Sequence, residues 1–141
     1  MFIGKYYYKL QANSRVSLPK AFRNNQNKWV ITRGLDGCLF IFESDSFKRE
    51  VENLAQRSFT KKAHRDLIRI MTNEAMQATV DANGRVHLPE YLISYANLKD
   101  ELVIVGSFNR IEIWNRDDYH QYSSQLENQA EIIAESIEIQ Q

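Results

Sequence analysis

Apolar and polar positions alternate in short runs along this chain, and the runs come in pairs. Val16 and Leu18 alternate with polar neighbours, as do Val86 and Leu88, which predicts a short half-buried strand in each place. Upstream of each, Tyr6–Leu10 and Ala78–Val80 predict a strand entering a turn. The turn residues are Asn13-Ser14 and Asn83-Gly84, and an Asn-Gly pair supplies the positive φ angles of a tight hairpin. Pro19 and Pro89 follow, where a strand ends or a short helix begins. Next come β-rich runs at 29–33 and 101–105, each ending near a glycine, and then alternating strands at 39–42 and 111–114. Helical spacing takes over after Asp45, a plausible N-cap, with Phe47, Val51 and Leu54, and after Asp117, with Tyr119, Tyr122 and Leu126. A further helix is expected near 60–77, with Ala63, Leu67, Ile70, Met71 and Ala75 on one face.

The pairing is a tandem duplication. Ala12-Asn13-Ser14-Arg15-Val16-Ser17-Leu18-Pro19 returns as Ala82-Asn83-Gly84-Arg85-Val86-His87-Leu88-Pro89, with six of eight positions identical at an offset of 70. After a slip of two residues, 30–34 aligns with 102–106, 39–42 with 111–114 and 45–47 with 117–119. The copies span 1–70 and 71–141. The first is a module at about 5–47 with a helical connector to 77, the second a module at about 78–120 with a C-terminal helix. Three or four strands in ~45 residues cannot bury both faces of a sheet. The two copies must therefore share one core, packed about a pseudo-twofold axis, in a β-rich α+β fold. Tyr6, Tyr7, Tyr8, Trp29, Phe40, Phe42 and Trp114 are read mostly as core and subunit-contact residues. Of these only Tyr6–Tyr8 could serve as a stacking platform for single-stranded nucleic acid.

Composition narrows the function. The chain has 141 residues, 43% of them apolar, and no stretch approaches the ~18 consecutive apolar residues of a membrane span. No basic segment followed by an apolar one opens it, so a cytoplasmic address is expected. The net charge of zero hides a gradient: residues 1–70 hold 14 bases and 6 acids, residues 71–141 hold 4 bases and 12 acids. Seven cations precede the first acid, Asp36. Such an opening points either to a polyanion partner or to attraction between the halves, within a chain or between subunits. The last helix carries Glu127, Glu131, Glu135 and Glu138 with no base after Arg116; its Ile132, Ile133 and Ile137 would pack on a neighbour or form a solvated end.

Catalytic and metal chemistry has no visible constellation. His64, His87 and His120 share no ligand spacing with one another or with Cys38, and the lone cysteine reads as a buried thiol. Ser17 and His87 occupy equivalent outward positions of the repeat, which suits a surface role better than a dyad. The five glycines are scattered, so no phosphate loop occurs, and Asp117-Asp118 sits at a helix start where capping accounts for it. No enzyme activity and no cofactor are expected.

The repeated turn ends in an arginine, Arg15 or Arg85. Asp81 lies four residues before Arg85, so a hairpin would let its carboxylate bind the turn backbone and orient the guanidinium. In the first copy Gln11 stands in place of that acid, leaving no local carboxylate to neutralise Arg15. Either the turn is a self-satisfied structural device or the arginine is presented outward, where its planar fork suits phosphates and guanine edges.

These residues carry a resemblance. Met1-Phe2-Ile3-Gly4, Arg15–Pro19 with Phe22-Arg23, Thr32–Leu39, Asp81–Val86 with Leu88-Pro89, Tyr95-Ala96, and Val105-Gly106 through Trp114 together resemble the MraZ family of bacterial transcriptional regulators, over nearly the whole chain. The resemblance implies two SpoVT/AbrB-like modules interleaved as swapped hairpins into one pseudo-twofold β-barrel with peripheral helices. It also implies rings, often octamers, that bind double-stranded DNA at promoter direct repeats upstream of their own division and cell-wall operon, and a nucleoid-associated location. The family's Asp-x-x-x-Arg signature carries over fully to Asp81 and Arg85, and in the first copy to Arg15 alone. Ser14 also departs from the usual turn glycine. In this reading Lys9, Lys20, Arg23 and Lys28 hold phosphates, Arg15 and Arg85 approach base edges, and Gln11, Asp81, Asn13 and Asn83 shape the turns. The competing readings are an antitoxin of the AbrB type and a self-assembling module whose basic and acidic halves join subunits without DNA; RNA binding lacks a recognised motif.

Overall fold

The computed structural model describes residues 1–23 and 28–140. In chain order the elements are β1 (Phe2–Lys9), β2 (Arg15–Ser17), β3 (Lys28–Arg33), β4 (Leu39–Glu43), α1 (Ser44–Ala55), α2 (Lys62–Asn73), β5 (Met76–Thr79), β6 (Arg85–His87), α3 (Glu90–Tyr95), β7 (Glu101–Phe108), β8 (Ile111–Asn115) and α4 (Arg116–Gln140). No helix among the described residues is long and apolar enough to cross a membrane.

Six strands form an antiparallel sheet in the order β1-β7-β8-β4-β3-β5, and β2 pairs with β6 in a separate two-stranded ribbon. The six-strand order reads the same from either end when the two copies of the repeat are exchanged. The pseudo-twofold axis thus runs between β4 and β8, where Phe40 faces its own counterpart Glu112, and through the ribbon, where Val16 faces Val86. Each copy's first strand pairs on the other copy: β1 on β7 and β5 on β3. The expected single closed barrel is not what the hydrogen bonds make: among the described residues the end strands β1 and β5 do not pair with each other, and the three-residue strands β2 and β6 join no strand of the six.

Alternation decides the faces. Trp29, Ile31, Leu39, Ile41, Leu102, Ile104, Ile111 and Ile113 point to one side of the sheet and are buried against Val16, Leu18, Val86, Leu88 and Leu92 from the ribbon and α3. Each such aliphatic side chain contributes roughly 1.5–3 kcal/mol by leaving water. The other sheet face carries Val103, Val105 and Trp114, covered by Tyr119 and Tyr122 of α4. Cys38 joins this second cluster, as a buried thiol should.

Several sequence expectations shift. The helix predicted over 60–77 stops at Asn73, because Met76–Thr79 is a strand that adds to β3. Its Ala63 and Ile70 are exposed, so the predicted apolar face is only partly covered. Asp45 and Asp117 are not caps but lie within the first turns, because β4 and β8 run straight into their helices; Asn115 caps α4, its Oδ1 accepting the Asp118 N–H at 3.0 Å. The repeat register is also one residue out in β3. Strand pairing makes Trp29–Arg33 the counterpart of 102–106, since the loop 34–38 is one residue longer than 107–110.

Candidate nucleic-acid interface

The two hairpin turns differ in a way the sequence left open. In the second, Asp81 Oδ1 accepts the backbone N–H of Asn83 and of Arg85, both at 2.9 Å, and Oδ2 accepts Arg85 Nε at 3.1 Å. The Arg85 backbone N–H first, then the Asn83 N–H and the Arg85 side chain, hold this carboxyl below the usual carboxylate range. Asp81 N–H donates to Arg85 O at 2.9 Å, which closes a three-residue loop rather than a two-residue turn, and Gly84 alone takes the left-handed conformation, at φ 77°. In the first turn Gln11 N–H donates to Arg15 O at 2.9 Å, closing a loop of the same length. There both Asn13 (φ 61°) and Ser14 (φ 58°) are left-handed, so the missing glycine is met by a strained serine and a different loop shape.

The ribbon joins the turns into one surface. Its register sets Arg15 opposite His87 and Ser17 opposite Arg85, with the Val16–Val86 pair between them. Both valines are fully buried, so alternation sends Arg15, Ser17, Arg85 and His87 to the outer face, with the two arginines at diagonal corners. Each turn is braced by the other copy: Leu18 N–H donates to Gly84 O at 3.0 Å and Leu88 N–H to Ser14 O at 2.8 Å. Gln11 Nε2 donates to Ser17 Oγ at 2.8 Å, while its Oε1 accepts Arg85 Nη1 at 3.4 Å. Residue 11 therefore acts on the opposite copy's arginine, a contact between residues 74 apart that reading each turn by itself could not find.

The two arginines are left in different states. Arg85 is held by Asp81 and Gln11. Arg15 is half-exposed and makes no ion pair or side-chain hydrogen bond among the described residues. Arg23 joins this surface: a Cβ at Gly84 would overlap its guanidinium, whose Cζ would lie 2.5 Å away. Lys20 is exposed in the turn after Pro19. Asn13 and Asn83 are exposed at the loop tips.

Lys9 and Lys28 sit elsewhere, on the six-stranded sheet. Lys9 faces Glu101 across the β1–β7 pair, and that carboxylate also meets Arg116 at 3.6 Å; Lys28 faces Thr79. The six cations named from sequence thus divide into a ribbon group (Arg15, Arg85, Arg23, Lys20) and two sheet-end lysines. Among the described residues no three His, Cys, Asp or Glu gather where a metal ion could bind.

The arrangement suits an extended anion: a rigid two-stranded surface, guanidinium forks at its corners, further cations beside it. One comparison with known proteins bears on this geometry. A family model described as "MraZ protein, putative antitoxin-like" matches this chain twice, over residues 1–70 and again over 71–138.

Proposed function

The chain belongs to the MraZ family, and from that premise we propose that it is a transcriptional regulator that binds double-stranded DNA in a sequence-dependent way. The observation that carries the reading is the outer face of the β2–β6 ribbon, with Arg15 and Arg85 at opposite corners and no carboxylate on Arg15 among the described residues. In this reading Lys20 and Arg23 hold phosphates and set the register, with Lys9 and Lys28 reaching flanking backbone. Arg15 presents its whole fork to a base edge, guanine above all. Arg85, pre-oriented by Asp81, offers its remaining N–H groups at a fixed angle. The two modules, 1–70 and 71–141, supply one arginine each to a shared barrel-like body.

One ribbon makes few contacts, so the reading includes a homo-oligomer, a ring of about eight copies. Each further module that engages a direct repeat then binds at a raised effective concentration. The target is the DNA upstream of the chain's own operon, and the location follows the DNA. A second reading, an antitoxin, is favoured by the description of the matching family and by the bare acidic end of α4, which a basic toxin would cover.

Fluorescence anisotropy with the upstream duplex and a scrambled duplex, each across a salt series, tests the proposal. Regulation predicts tight binding to the upstream duplex alone, with log K falling by about 0.9 per phosphate engaged as log salt rises. Equal affinity for both duplexes that disappears in modest salt refutes sequence reading.

A further inference from the structure

The pseudo-twofold axis maps the strands of one copy onto those of the other, and the helices break it in an instructive way. Helices α1 and α4 are counterparts: each follows directly on its strand, β4 or β8. After α1 the chain turns back as α2, which closes over Thr32, whose hydroxyl donates to Met71 O at 2.9 Å. Among the described residues nothing in the second copy corresponds to α2. The counterpart of Thr32 is Val105, and it lines an open cleft of about 520 Å³ with Gly106, Trp114, Tyr119, Tyr122 and Leu126. The chain instead runs on as the 25-residue helix α4, and every residue from Ser124 to Glu138 is exposed. Those 15 residues extend for roughly 22 Å.

The extension is built to be covered. Leu126, Ala130, Ile133 and Ile137 continue the stripe by which Tyr119 and Tyr122 hold α4 on the sheet. Glu127, Glu131, Glu135 and Glu138 fall together on the adjoining flank. A matching surface exists on this same chain. Between Arg57 and Arg69 five bases stand against one acid, Asp66. The α1–α2 hairpin there exposes Phe59 (67%), Ala63 and Ile70 (38%).

We propose that the second half of α4 docks on the α1–α2 hairpin of another copy of this chain, apolar stripe against apolar stripe and glutamate flank against the bases of 57–69. The contact deepens, and rests on, the oligomeric part of the function proposed above. Its two sides are different surfaces, so it is head-to-tail and can propagate from copy to copy. A symmetric α4–α4 pairing would set four glutamates against four and is disfavoured for that reason.

The test uses the full-length chain, with mass measured by light scattering over a concentration series near physiological salt. E131K/E135K lies on an exposed helix and leaves folding intact; it should raise the concentration needed for assembly at least about tenfold. R57E/K61E should do the same, and an equimolar mixture of the two variants should assemble again. In an oxidised mixture, Ile133→Cys should cross-link to Ile70→Cys and not to itself, because the contact is head-to-tail; the natural Cys38 is buried and does not compete. If the wild type stays monomeric, the oligomeric reading itself fails. If the wild type assembles but E131K/E135K assembles equally well, or Ile133→Cys pairs with itself, this contact is wrong and the oligomer has another interface. The DNA affinity of the wild type, measured with the upstream and scrambled duplexes, reads the regulatory function separately.

Discussion

Replacing Gly84 by alanine probes the turn, the ribbon and Arg23 at once. Gly84 sits at φ 77°, where an L side chain costs roughly 1–2 kcal/mol. Alanine also loses less backbone entropy on folding than glycine, which offsets a few tenths to about 1 kcal/mol. Those two effects alone leave a net loss near 1 kcal/mol. The added Cβ would also overlap the Arg23 guanidinium, so that side chain must leave its place over the turn. Gly37 separates the two effects: it has a similar φ, 85°, and a Cβ there meets nothing within 4 Å. Gly37→Ala should therefore show the backbone cost alone, a drop of about 2–4 °C in midpoint for a chain of this size. Gly84→Ala should cost more, and the excess should vanish when Arg23→Ala is added. Chemical denaturation of the four variants closes the cycle. If Gly84→Ala is no more costly than Gly37→Ala, Arg23 does not rest on the turn and does not belong to the ribbon surface.

Arg15→Ala should weaken binding to the upstream duplex at least about tenfold and lower the salt slope by about one while the oligomer keeps its mass; Arg15→Lys should recover the slope but not the preference for the upstream sequence, since an ammonium lacks the fork. Asp81 is held below its ordinary range, so the stability it contributes is complete above the unfolded carboxyl value of about 3.9 and is lost as pH falls through the lower folded value. Wild type and Asp81→Asn should accordingly differ by a constant amount from pH 7 to about 5 and converge in stronger acid; a gap that widens on acidification contradicts the assignment. The Cys38 thiol is pushed far above the ordinary range by burial and then by the Glu112 charge, and its Sγ donates to Leu35 O at 3.3 Å. Thiol reagents at pH 8 should label it only as fast as the fold opens, with full reactivity in denaturant; rapid labelling of the native chain contradicts its place under α4.

The sequence showed the repeat, the strand order within each copy and the buried face, because alternation and duplication are local signals. It hid what depends on the other copy. The ladder slip arose from matching Gly34 to Gly106, yet the two glycines have unrelated causes. A Cβ at Gly106 would strike the backbone of Phe2 and Ile3 on β1, whereas at Gly34 it would strike the Phe40 ring and Cys38 O. The end of α2 was hidden because Met71 and Ala75 keep helical spacing up to a strand whose identity is fixed only by its pairing with β3. At the candidate interface the Asp81–Arg85 bond was legible from spacing alone, and the bridge from Gln11 to Ser17 and Arg85 was not.

That bridge gives the substitution at position 11 a physical meaning. With an aspartate there, symmetry would hold both arginines alike, each fork bound by its own turn. With Gln11 the amide binds Ser17 and Arg85 instead, so Arg85 has a neutral partner besides the Asp81 carboxylate while Arg15 has no carboxylate in its own turn. The pseudo-twofold axis survives in the strand pairing and is broken in the shape of the first turn and in the charges. One corner of the ribbon is a positioned guanidinium paired with Asp81, and the other has no carboxylate partner among the described residues. Under the proposed function, symmetric strand pairing with asymmetric charge would suit a direct repeat better than a palindrome, because two unlike corners would impose one orientation on a bound DNA. Orientation then passes from copy to copy only if the subunit contact is itself head-to-tail, and the unlike surfaces of α4 and the α1–α2 hairpin have that polarity.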